Sequence, residues 1–200
     1  QCREDALQGA RLVRERVDSV PETALRLLMV LAGLPEPQVD IPIREADGNI
    51  RFRIDLGFEE VKLAIEYDGR WHDAEDQREH DESRRTELST TEGWTFVVVK
   101  ADELYEQPEQ LLERLVSELQ AQGIPRIGLL LNGSPVLPRD LEIGRELAGL
   151  GYVEGRNVIY EVRAAQGDLS RLPKLARELV AMKPDVIVGT AAPAAAALFG

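Results

Sequence analysis

The chain has 200 residues, room for two domains of ordinary size, and its 44% apolar content excludes a disordered polymer. One cysteine, Cys2, excludes a disulfide framework or a thiolate zinc cluster, and the most apolar run, Val186 to Phe199, is broken by Gly189 and Pro193 and too short to cross a bilayer. The net charge of −12 is uneven: residues 1–123 carry 15 Lys/Arg against 28 Asp/Glu, and residues 124–200 carry 9 against 8, which marks a domain boundary and excludes nucleic-acid binding by bulk charge in the first part.

Residues 1–19 are charged, mixed and read as a frayed helix. Ser19-Val20-Pro21-Glu22-Thr23 opens a helix, with a serine cap, proline in the first turn and an acid behind it. Leu25, Leu27, Leu28, Val30 and Leu31 make that helix apolar, and it ends at Gly33. Val39, Ile41 and Ile43 alternate with polar residues, as in an edge or half-buried strand, and Asp47-Gly48-Asn49 signals a hairpin turn. From Arg51 to Leu56 the apolar residues sit at even positions, and from Val61 to Asp68 at odd ones, giving two strands with one wet face each. With the turn centred on Glu59-Glu60, Phe58 faces Val61, Leu56 faces Leu63 and Ile54 faces Ile65; Asp55 then faces Ala64, and Arg53 faces Glu66. Asp55, Glu66 and Asp68 share the wet face. Asp73 to about Glu92 reads as a charged helix, Trp94 to Val99 as a buried strand, and Pro108 to Gln122 as an amphipathic helix, with Gly123-Ile124-Pro125 as linker.

Two carboxylates on adjacent strands suit Mg²⁺, which takes few carboxylate ligands and keeps several waters. Such an ion neutralises a phosphate and activates water for phosphodiester hydrolysis. Asp55 and Glu66 are the metal-ligand candidates, with ten residues between them as fits PD-(D/E)XK nucleases, and with Asp68 where that pattern has lysine. A plainer reading is open beside it. Asp55 and Glu66 could form a surface ion-pair lattice with Arg53 and Lys62, Asp68-Gly69 a turn, His72 a solvated loop and Glu22 a first-turn helix charge. Asp81, Arg84 and Arg85 fit intrahelical pairs better than phosphate contacts.

The runs Pro21-Glu22-Thr23, Ala32-Gly33-Leu34-Pro35, Arg53-Ile54-Asp55-Leu56 and Glu66-Tyr67-Asp68-Gly69 with His72, then Asp81, Arg84, Arg85 and Gly93-Trp94, resemble a family of actinobacterial antitoxin-like proteins. Those proteins end in a domain related to very-short-patch-repair endonucleases, and the resemblance covers about residues 1–120. It implies a restriction-endonuclease-like α/β/α fold, DNA as partner, and Glu22, Asp55 and Glu66 as the acidic site. Asp68 and His72 would stand beside it, with His72 replacing the lysine to orient water or protonate a leaving group. His80 matches no position of that family.

The second half alternates strand and helix: Arg126 to Leu131, Arg139 to Leu150, Asn157 to Val162, Leu169 to Met182, Asp185 to Val188, then an alanine-rich helix. That order predicts a parallel sheet with right-handed crossovers. The strand ends carry Asn132-Gly133-Ser134 and Gly189-Thr190-Ala191. Open α/β sheets bind ligands there, although ordinary βα turns use the same residues. The runs from Gly149 to Val158, Gly167 to Pro173 and Lys183 to Val188 resemble the substrate-binding proteins of ABC transporters of the aromatic-amino-acid-associated type. The resemblance covers about residues 125–200 and implies a partial Rossmann-like, periplasmic-binding-protein lobe. Asn132, Gly133, Ser134, Thr190 and Ala191 would touch a small solute such as an amino acid, weakly because a second lobe is absent.

The expectation is therefore an α/β chain of two domains, 1–122 nuclease-like and 123–200 a truncated solute-binding lobe. The leading function is a Mg²⁺-dependent phosphodiesterase (endonuclease) activity in residues 1–122, joined by accidental fusion of a gene fragment to the binding lobe. The alternatives are solute binding for an ABC transporter, or a catalytically degenerate nuclease-fold regulatory module. Without an export signal the chain as it stands is expected in the cytoplasm, whereas relatives of its second domain are exported.

Overall fold

The computed structural model describes residues 19–69 and 75–199, without the side chains of 75–78. It divides into two compact units, one of residues up to 32 with 37–118, the other of 33–36 with 119–200. The expected frayed helix at 1–19 lies, but for Ser19, outside the described residues, as does His72. No described helix is long and apolar enough to cross a membrane.

In the first unit, Ser19 caps helix α1 (Val20–Leu31), which buries Leu25 and Met29. Strands β1 (Gln38–Arg44) and β2 (Ile50–Phe58) form an antiparallel hairpin, and the Asp47 carboxylate accepts from Asn49 N at 2.9 Å in its turn. Strand β3 (Leu63–Asp68) runs antiparallel to β2 and parallel to β4 (Thr95–Lys100). The parallel step needs a crossover, supplied by helix α2 (Glu75–Glu92). A short helix α3 (Ala101–Tyr105), not foreseen from sequence, leads into α4 (Pro108–Ala121). The sheet order is β1-β2-β3-β4.

Two expectations about the β2–β3 hairpin are corrected. Glu59–Val61 form a 3₁₀ turn and Lys62 takes φ +53°, which lengthens the connection by two residues. The pairs are therefore Phe58–Leu63, Gly57–Ala64 and Leu56–Ile65, in place of Phe58–Val61, Asp55–Ala64, Leu56–Leu63 and Ile54–Ile65. A shift of two preserves the alternation of faces. The supposed wet face of β3 is also covered: Ala64 packs with Leu88 of α2 and Trp94, while Leu63 and Ile65, on the opposite face, are fully buried. This sheet is buried on both sides through β3, with charged α2 as one cover.

The second unit has β5 (Arg126–Leu131), α5 (Glu142–Gly149), β6 (Ile159–Ala164), α6 (Leu172–Ala181), β7 (Val186–Gly189) and α7 (Ala192–Ala197). Its sheet is wholly parallel in the order β6-β5-β7. Buried β5 forms the centre: Ile127, Leu129 and Leu131 pack with Val158 and the α5 residues Ile143 and Leu147, while Leu130 packs with Leu172, Leu175, Ala176 and Leu179 of α6. Helices α5 and α6 begin three residues later than the periodicity suggested, because Pro138–Asp140 and Leu169–Arg171 form 3₁₀ turns before them. Strand β6 begins two residues later than expected, at Ile159.

Candidate functional site

The β2–β3 ladder closes at Leu56–Ile65, and Asp55 and Glu66 are the next residues on their strands. Asp55 is half-buried and Glu66 is buried. A buried carboxylate requires partners, and α2 provides them. Arg84 Nη2 donates to one Glu66 oxygen at 2.7 Å, and Arg85 Nε donates to the other at 2.9 Å. The expected Arg53–Glu66 and intrahelical pairings are thus replaced. Arg53 pairs instead with Asp40 at the other edge of β2, and Arg84 and Arg85 reach across to β3.

The remaining acids are placed separately. Glu22 joins the N-cap of α1: its backbone N donates to Ser19 Oγ at 3.3 Å, and its carboxylate accepts from that hydroxyl at 2.5 Å. This is the first-turn role that was open beside the site role. Asp68, half-buried, ends β3 opposite Lys100 in register, and the neighbouring Tyr67 hydroxyl is pushed up by burial first and then by the charges of Tyr105 and Asp68. Trp94 is buried, as expected of core, with Lys62 Nζ 4.8 Å from its ring centroid. His80 is exposed on α2.

Mg²⁺ asks for hard oxygen donors, and Asp55 and Glu66 supply them from neighbouring strands. Glu66 would admit a cation by giving up at least one guanidinium. Among the described residues no group of three or more His, Cys, Asp or Glu could hold a metal ion. The arginine pair is the feature that sequence reasoning missed. Its signal was there, two adjacent arginines on a helix following an acid-bearing strand, but spacing within one helix pointed to partners in that helix.

In the second unit a cleft of about 470 Å³ opens at the carboxyl end of β7, walled by Leu141, Glu142, Ile143, Glu146, Val188 and Thr190. Of the five solute-contact candidates, Thr190 is on its described walls. The backbone carbonyls of Asn132 and Gly133 accept from Gly167 N at 2.9 Å and Gln166 N at 2.8 Å, tying the loops after β5 and β6 together. Ser134 and Ala191 are exposed and off those walls. The start of α5 was missed because the periodicity placed it inside a continuous helix from Arg139.

Comparison with known proteins divides the chain in the same way. Residues 37–119 match the REase_MTES_1575 family, a restriction-endonuclease-like domain, and residues 142–200 match the family described as ABC transporter substrate binding protein. Both resemblances drawn from the sequence are thereby supported, and the α/β architecture agrees with them. Two uncharacterized proteins of Mycobacterium tuberculosis, MT2308 of strain CDC 1551 / Oshkosh and Rv2248 of strain ATCC 25618 / H37Rv, are each 31% identical over 105 residues. The match takes in 52% of this chain and 38% of either relative, so the chain spans well under half of their length. No solved structure gives a significant match.

Proposed function

We propose that the first unit is a nuclease-fold DNA-processing module in which Asp55 and Glu66 would seat Mg²⁺ for phosphodiester hydrolysis. The observation that carries this reading is the arrival of two carboxylates at the same step of neighbouring strands, within residues 37–119 that match a restriction-endonuclease-like family. Asp68 and His72 would be the neighbouring polar groups, and Glu22 would serve the fold as a cap. The test is cleavage of supercoiled and linear DNA with Mg²⁺ or Mn²⁺. Cleavage that disappears in Asp55→Ala while the fold is retained supports the reading. Absence of cleavage under every divalent ion, with DNA still retained, favours the non-catalytic regulatory module, which the arginine clamp on Glu66 also suits.

For the second unit we infer binding of a small solute at the cleft beside Thr190, carried by its position at the carboxyl end of a parallel sheet. Calorimetry of the full chain with leucine and phenylalanine tests it. Heat that is lost on Ile143→Asp in the cleft wall supports this site, and heat unchanged by that substitution rejects it.

A further inference from the structure

We infer that Arg84 and Arg85 form a receptor for one backbone phosphodiester of DNA, an inference that rests on the nuclease-fold reading of the first unit. Three observations lead to it. Two guanidinium groups serve one carboxylate, although one would neutralise it. Their burial is graded: the Glu66 side chain is 5% exposed, whereas each arginine side chain is 25% exposed. An approaching ligand therefore meets positive charge before it meets the carboxylate. The pairing with Glu66 also leaves Arg84 incompletely satisfied, since its Nε is enclosed and donates to no acceptor among the described residues.

Guanidinium groups recognise phosphate oxygens through planar, charge-assisted hydrogen bonds, which is the chemistry this pair offers. Glu66 acts here as a positioning residue. It holds both guanidinium groups at hydrogen-bond distance, 2.7 Å for Arg84 and 2.9 Å for Arg85. Arg51 of β2 already pairs with Glu87, which takes up that acid. Asp81 on the same helix, and Asp55 and Asp68 on the strands, are each engaged as well.

The experiment is fluorescence anisotropy of the full chain with a labelled duplex in EDTA, so that no metal contributes, at salt above about 0.1 M where general repulsion is screened. Arg84→Gln and Arg85→Gln are each expected to weaken binding several-fold and to reduce the salt slope by about 1. Arg84→Lys, which keeps the charge, should keep the slope. Glu66→Gln, which releases both guanidinium groups from an anion, should tighten binding; circular dichroism and thermal melting establish that each variant folds. Inorganic phosphate is titrated in parallel, and displacement of DNA only at millimolar phosphate fits a site built for the polymer. Wild-type affinity and slope in both glutamine variants of the arginines would overturn the inference, as would phosphate binding with no DNA binding. If arginine-dependent binding persists without Mg²⁺-dependent cleavage, the cleavage reading alone fails. If cleavage occurs while Arg84→Gln binds DNA normally, the phosphate receptor alone fails.

Discussion

Burial decides what the ionisable side chains of this protein do. Glu66 lies inside, and its charge is held by two guanidinium groups at hydrogen-bond distance. The tyrosines show the opposite solution, in which the neutral form is kept. Burial raises the Tyr67 hydroxyl above its ordinary value of 10.0, and the charges of Tyr105 and Asp68 add to the effect. Burial raises Tyr160 as well, with help from Glu154, and its hydroxyl finds no hydrogen-bond partner among the described residues. Both groups hold their proton more tightly folded than unfolded. Their contribution to stability is therefore complete below the unfolded pKa near 10 and is lost as pH rises through the higher folded values. Tyr67→Phe and Tyr160→Phe should each move the alkaline unfolding midpoint upward. Each should also remove a late component from the ultraviolet titration of tyrosinate. Unchanged midpoints and titration curves in both would show that these hydroxyls ionise as freely as in the unfolded chain.

At the scale of elements, the second unit depends on two close backbone approaches. A Cβ at Gly144 would lie 1.9 Å from the carbonyl oxygen of Pro138, and one at Gly189 would lie 2.5 Å from Ala195 N. Both obstacles are backbone atoms, so an alanine must displace an element: α5 from its 3₁₀ turn, or α7 from β7. Forced overpacking costs about 1–3 kcal/mol. Gly144→Ala and Gly189→Ala should destabilise by at least that much in urea unfolding. Gly133→Ala, with nothing within 4 Å of its Cβ, should change stability little. Equal stabilities for all three would mean that these elements shift without cost.

What the sequence made legible follows the range of the forces involved. Alternation and capping are local, so α1 with its Ser19 cap, the hairpin at Asp47-Gly48-Asn49 and the strand–helix rhythm after Arg126 could be read directly. The β2–β3 register was not legible, because a left-handed Lys62 after a 3₁₀ turn leaves no periodic trace. Arg84 and Arg85 meeting Glu66 depends on where the crossover helix lands, eighteen and nineteen residues away, and no pattern within the helix reports that. In the same way, the walls of the cleft beside Thr190 come from α5 and β7, which are distant in the chain.

For the whole molecule, charge sets how it can meet DNA. Residues 1–123 hold 28 acids against 15 basic residues, so a duplex approaching the arginine pair is repelled by the surface around it. At about 0.01 M salt the Debye length is roughly 30 Å, and this repulsion reaches across a whole domain. At about 0.15 M it falls to roughly 8 Å, shorter than the distance over which most of those acids act. The local contact between guanidinium and phosphate loses strength more gradually, with a slope of about −0.9 per phosphate neutralised. The two dependences have opposite signs. DNA affinity should therefore rise between about 0.01 and 0.1 M salt and fall slowly above it, with a limiting slope of about −0.9 for the one phosphate neutralised. A basic DNA-binding surface would give a steep fall from the lowest salt onward. Anisotropy across that range reads the shape directly, and a monotonic decline would mean that the acidic majority of the chain stands away from the path that DNA takes.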